Sequence, residues 1–209
     1  MKPTERLKVG VLALQGDFAE HIASLKALGA HAFPVRRARE LEQADALIIP
    51  GGESTTLAKL TNDNDDPIFD TIINRVREGM PVYGTCMGSI FLAREIEGSR
   101  QGRLGLMDIK VRRNAFGAQK HSFQMSLKIP CIGSDAFPAV FIRAPLILSC
   151  GSAVEVLATI EEGTVMAKQG NMLVTVFHPE IAGDLRVHQY FLAMVSPRST
   201  HLERQALSQ

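Results

Sequence analysis

The sequence carries almost no excess charge of either sign: 23 Lys and Arg face 22 Asp and Glu, a net charge of +1. No basic run is interleaved with aromatics, so electrostatics give no reason to expect nucleic acid or an anionic membrane as partner. Cysteine is scarce. Cys86, Cys131 and Cys150 form no C-x-x-C pair, which argues against a zinc knuckle or a disulfide framework and suits a reducing compartment. No apolar run is long enough to span a bilayer, and "MKPTERLKVGVLALQG" lacks the apolar core and small-residue cleavage site of a signal peptide. A soluble, cytoplasmic protein is expected. Neither G-x-x-x-x-G-K-[ST] nor G-x-G-x-x-G occurs, so the phosphate loop and the dinucleotide fingerprint are both missing. No internal repeat or interdomain linker is visible.

What is present is an ordinary globular composition, 45% apolar and 22% charged over 209 residues, enough for one α/β domain and short for two. "KVGVLAL" (Lys8 to Leu14) is a near-continuous apolar run, as in a strand covered on both faces. Asp17 and Glu20 have capping-box spacing, and Phe18, Ile22, Leu25 and Leu28 then recur at helical intervals up to Gly29. "HAFPVR", "ALIIP" and "PVYGT" read as further strands, with a helix from about Ile68 to Glu78 stopping at Gly79. Strands alternating with helices imply a parallel sheet with right-handed crossovers. The second half is richer in strands ("VFIRA", "LILSC", "EVLATI", "TVMAKQ", "MLVTVFH"), which suggests an antiparallel extension on the same core, closed by a helix near 184–194. The expected domain is residues 1–195, followed by a polar, frayed tail at 196–209.

In "PVYGTCMGS" a cysteine sits between two glycines, after an apolar run and before a helical pattern. G-T-C-M-G fits a nucleophile elbow with cysteine in place of serine, where Gly84 and Gly88 remove side chains that would clash across the turn. Ile90, Ala93 and Ile96 continue as a helical stripe to Gly98, which would set Cys86 at the positive end of a helix dipole. A buried cysteine at an ordinary glycine turn is the plain alternative. A thiol is only a few per cent ionised at neutral pH, so a nucleophile here needs an imidazole. "VTVFHPEIAGD" offers one: the apolar run ends at His178, Pro179 stops the strand, and Glu180 stands where it can orient the ring. Cys86 would then be nucleophile, His178 base and acid, and Glu180 orienter. In "IIPGGESTTLAKL" the paired glycines let backbone amides approach a ligand, so Gly52 can supply one oxyanion donor and the Met87 amide another; a plain turn with Ser54 or Thr55 as helix cap is the competing reading.

Together these motifs resemble the class I, triad-type glutamine amidotransferases. "GVLALQGDFAEH", "PGGESTT", "GTCMG", "RRNAFG", "FIRAP", "MAKQG" and "FHPE" are similar, in order and approximate spacing, to the glutaminase subunits of pyridoxal 5′-phosphate synthases, over about Lys8 to Val195. The resemblance implies a three-layer fold with a mostly parallel central sheet flanked by helices. It also implies hydrolysis of L-glutamine to glutamate and ammonia through a thioester on Cys86. Gly52, Glu53, Ser54, Arg113, Ile142 and Arg143 would contact glutamine, and Gln15 would touch the synthase. The implied partner is a (β/α)₈-barrel subunit, in a dodecameric core decorated by glutaminase subunits, that builds pyridoxal phosphate from a pentose phosphate and a triose phosphate. No metal or organic cofactor is implied for this chain.

Four positions depart from the family pattern. Met87 is bulkier than the usual residue after the nucleophile and is expected to narrow the site or its ammonia exit. Ser89 replaces an apolar residue and is expected to loosen packing behind the elbow. Arg112 and Ala115 replace a common Glu and Ser beside Arg113 and Asn114. Two other readings compete: an α/β-hydrolase using cysteine with Asp108 or Asp135 as its acid, and a non-catalytic regulatory subunit. The H-P-E grouping and the "PGGES" loop speak against the first, an intact triad against the second.

Overall fold

A computed structural model describes residues 6–52, 66–116 and 122–195. Their strands are β1 (Lys8–Leu12), β2 (His31–Val35), β3 (Ala46–Ile49), β4 (Val82–Thr85), β5 (Ala93–Ile96), β6 (Met107–Arg112), β7 (Ser122–Leu127), β8 (Phe137–Ile142), β9 (Leu146–Cys150), β10 (Glu155–Ile160), β11 (Gly163–Gln169) and β12 (Met172–Thr175). The helices are α1 (Phe18–Ala27), α2 (Ala38–Leu41), α3 (Ile68–Arg77), α4 (Met87–Leu92) and α5 (Arg186–Met194).

The main sheet runs β2-β1-β3-β4-β12-β11-β9-β6-β5, with β10 added beside β11. Its first five strands are parallel. Every residue of β3, β4 and β12 is buried, as the unbroken apolar runs require for strands covered on both faces. Beyond β12 the pairing turns antiparallel through β11, β9 and β6. This is the expected α/β sheet with its antiparallel extension. A separate hairpin, β7–β8, folds over the sheet's end and packs Phe141 and Phe137 against Phe177, each with ring centroids 5.7 Å apart.

Helix α3 buries Ile68, Phe69, Ile72 and Val76 on one face. It ends at Gly79, whose φ of +100° lets Met80 N–H reach back to Arg75 O at 2.9 Å. Two local expectations change. The stripe Ile90, Ala93, Ile96 is not one helix: α4 ends at Leu92, and 93–96 is strand β5 paired with β6. A register shift between Ala93 and Glu95 turns Ala93 and Ile96 to the same buried side, which imitates a helical repeat. Asp17 occupies the N-cap of α1 but makes no capping bond with its side chain.

Candidate active site

The loops after β1, β3, β4 and β12 meet at the carboxyl end of the parallel strands, where the order reverses between β1 and β3, the place such sheets bind ligands. Register brings the pieces level. Thr85 pairs with Thr175 across β4 and β12, and Cys86 N–H donates to Thr175 O at 2.8 Å. Cys86 adopts φ +46°, ψ −105°, a strained conformation for a residue with a side chain. The flanking glycines make that turn feasible. A Cβ on Gly84 would lie 2.6 Å from the Gly88 carbonyl, and one on Gly88 2.1 Å from Ile49 O.

His178 is fixed by its backbone and by its ring. Its N–H donates to Val140 O of β8 at 2.8 Å, so the hairpin holds the segment that carries it. Its Nδ1 lies 2.7 Å from Glu180 Oε1, both side chains almost wholly buried. Gly51 is the floor between ring and thiol: a Cβ there would sit 2.5 Å from His178 Cε1 and 3.4 Å from Cys86 Cβ. Burial is the largest influence on the imidazole and disfavours its charge. Hydrogen bonds and charge from Cys86 and Glu180 outweigh it and raise the His178 pKa to about 10. The Cys86 thiol also faces Ile142 O at 3.8 Å. Cys86, His178 and Glu180 are thus brought together, while Asp108 is held by Arg94 at 2.7 Å, so the cysteine-hydrolase reading finds its acid place filled by Glu180.

Gly52 has φ +145° and lies under the Gln15 side chain, whose Oε1 would be 2.4 Å from a Cβ there. Gln15 therefore rests on the glycine loop, within the site. Met87 begins α4, so its N–H has no acceptor inside the helix, and its side chain joins the buried core. The "RRNAFG" and "FIRAP" loops are stitched together by Ala115 N–H to Ala144 O at 3.1 Å. Arg113 donates to Gln101 Oε1 at 2.8 Å, and Arg143 takes φ +41° at the surface. Glu53 and Ser54, expected to contact glutamine, lie outside the described residues, as does Thr55.

Ser89 does not loosen the elbow. Its Oγ donates to Cys86 O at 2.6 Å and its N–H to the same oxygen at 3.1 Å, with Ser89 itself fully buried. Arg112 turns outward to an exposed pair with Glu97. The residues that patterning missed are polar. Asp17 Oδ2 approaches His178 Nδ1 at 3.7 Å. His21, four residues on, lies fully buried with its Nε2 3.4 Å from Glu180 Oε2. The i, i+4 spacing of Asp17 and His21 in "GDFAEH" was the available signal. Asp17, His178 and Glu180 offer ligand atoms within 4.8 Å of one another, a spacing a cation could use. Here the inner Glu180 oxygen and His178 Nδ1 are already bonded to each other, as a carboxylate orienting an imidazole would be.

Comparison with known proteins places this geometry in a family. The SNO glutamine amidotransferase family matches residues 11–197. A pyridoxal 5′-phosphate synthase subunit PdxT of Pelotomaculum thermopropionicum is 55% identical over 186 residues, covering 89% of this chain and 94% of that protein. Its counterpart in Carboxydothermus hydrogenoformans is 51% identical, covering 90% and 98%. A crystal structure of a glutamine amidotransferase, 48% identical, superposes with a TM-score of 0.84 over 90% of this chain and 98% of its own. PurLQS from Thermotoga maritima, at 14% identity and a TM-score of 0.68 over 91% of this chain, is alike in fold alone. No helix among the described residues is long and apolar enough to cross a membrane.

Proposed function

The chain belongs to the SNO glutamine amidotransferase family, and from that membership we propose that it is the glutaminase subunit of a pyridoxal 5′-phosphate synthase. The observation that carries the reading is His178 held between the Cys86 thiol and the Glu180 carboxylate. Cys86 attacks the side-chain amide carbon of L-glutamine as thiolate, paired with the His178 imidazolium. The tetrahedral oxyanion is received by backbone amides at Gly52 and Met87. His178 gives its proton to the departing nitrogen, ammonia leaves, and a γ-glutamyl thioester remains on Cys86. His178, now neutral, takes a proton from water, whose oxygen attacks the thioester; glutamate departs and the thiolate–imidazolium pair is restored. Glu180 keeps the ring aligned throughout.

Arg113 and Arg143 supply guanidinium groups for the glutamine carboxylate, and Glu53 with Ser54 complete the substrate pocket beside Gly52 and Ile142. Gln15, resting on the glycine loop, links docking of the synthase to that loop. Ammonia passes to a (β/α)₈-barrel synthase subunit, in an assembly with a dodecameric core, and the reactive unit is residues 1–195. Three free cysteines suit a cytoplasmic setting. The test is ammonia release from glutamine by the purified chain, alone and with the synthase subunit. Slow turnover alone and much faster turnover in the complex is expected; equal rates would contradict the coupling, and no hydrolysis in either would defeat the glutaminase reading.

A further inference from the structure

We propose that His21 is a positioning residue of this glutaminase: with its tautomer set by His188, it holds the outer oxygen of Glu180 so that the inner oxygen stays on His178. The inference rests on the glutaminase reading above and names a residue behind the triad. His21 projects from α1 into a fully buried space and His188 from α5 meets it there, with His21 Nδ1 2.9 Å from His188 Nε2. The other ring nitrogen of His21, Nε2, lies 3.2 Å from Thr85 Oγ1 and 3.4 Å from Glu180 Oε2. Thr85 precedes the nucleophile and accepts the Gly51 N–H at 3.1 Å. One imidazole therefore touches the orienting carboxylate and the residue that ends β4 before the elbow and anchors the glycine loop through Gly51 N–H.

The proton positions follow from which atoms lack partners. Glu180 Oε2 makes no regular hydrogen bond among the described residues, and neither does His188 Nδ1. Were His21 to donate from Nδ1 to His188, the His188 proton would sit on Nδ1, a buried N–H with no acceptor, and a bare His21 nitrogen would face the Glu180 carboxylate. With His188 donating from Nε2, its Nδ1 is a bare nitrogen rather than an orphaned N–H, and His21 carries its proton on Nε2, at Thr85 Oγ1 and beside Glu180 Oε2. Both rings stay neutral. Burial holds His21 well below the usual histidine range, with His188 and His178 pressing the same way, and burial brings His188 down to about 4. Neutrality has a use here. A neutral donor orients Glu180 without cancelling the charge that His178 needs, whereas an imidazolium would compete with His178 for the carboxylate. The remaining ring nearby, Tyr83 of β4, stands edge-on to His21 at 6.5 Å and bonds Thr175 Oγ1.

The test compares wild type, His21→Leu and His21→Gln with the synthase subunit present, reading kcat and KM for glutamine beside a thermal melt. His21→Leu should lower kcat by about 10- to 100-fold, as losing a partner that orients a functional group does, with KM little changed. His21→Gln, whose amide N–H extends where Nε2–H points, should recover most of that loss. A folded His21→Leu with wild-type kcat, or equal losses in both variants, overturns the proposal. If His21→Leu fails to fold, ¹⁵N spectra of wild-type histidine side chains decide: a proton on His21 Nε2 supports the assignment, and a bare Nε2 overturns it. Wild-type protein inactive even in the complex would instead defeat the glutaminase reading.

Discussion

Replacing Gly51 by alanine should abolish most turnover at a modest cost in stability. The added methyl would stand 2.5 Å from His178 Cε1, 3.2 Å from its Nδ1 and 3.4 Å from Cys86 Cβ. Carbon atoms in contact settle at about 3.5 Å, so the ring must retreat by about 1 Å. It cannot retreat freely, because its backbone is tied to Val140 O and its Nδ1 to Glu180. The movement therefore comes out of the Cys86–His178 contact, and a misplacement of about 1 Å costs about 100-fold in rate, or roughly 2.7 kcal/mol of barrier. Stability should fall by no more than about 1–3 kcal/mol, as overpacking a buried site does. Gly51 lies outside the left-handed region, so alanine adopts its backbone, and the entropy lost by the unfolded chain offsets local strain by about 0.4–1 kcal/mol. Gly79→Ala is the mirror-image control. Its φ of +100° faces open space, so it should lose about 1–2 kcal/mol of stability and no activity. The assay is glutamate formation in the presence of the synthase subunit, with melting curves alongside. Wild-type kcat in Gly51→Ala, or activity lost only in step with unfolding, would refute the reasoning.

A glutamine-analogue alkylator should label Cys86 alone, because burial raises the thiols of Cys131 and Cys150; peptide mass spectrometry finding the label on either would reject the nucleophile assignment. The melting temperature should peak near pH 6.5. His178, raised to about 10 in the fold, contributes stability that is complete below its unfolded value of about 6.5 and is lost as pH rises toward 10. His188, lowered to about 4 by burial, refuses a proton that the unfolded chain accepts, so stability falls by roughly 3 kcal/mol as pH drops from about 6.5 to 4. A melting temperature that stays level from acid to alkaline pH would contradict both assignments.

The sequence exposed what hydrophobic patterning and glycine placement encode. The buried runs of β1, β3, β4 and β12, the elbow glycines and the H-P-E turn could all be read before any coordinates. Short polar strands could not. β6 ("MDIKVR") and β7 ("SFQMSL") expose alternate residues and carry too few apolar side chains to stand out. The bulged β5 imitated a helix because its register shift reproduces a three-residue period. The inward face of α1 is only partly apolar, for a related reason. Of the apolar stripe, Leu25 is buried and Phe18 and Ile22 pack against the core, but the other buried residues of the helix are His21 and Ser24. Polar groups buried for their hydrogen bonds leave no trace in an apolar pattern, and at this site they surround Glu180.

Among the described residues, strand β12 reaches its central place between β4 and β11 only after all the other strands have been made. Cys86 leaves the ribosome some ninety residues before His178, and the gap between them is filled by the last of the described strands. A half-synthesised polypeptide thus carries the proposed nucleophile without its base, and the site is assembled only when the sheet is complete.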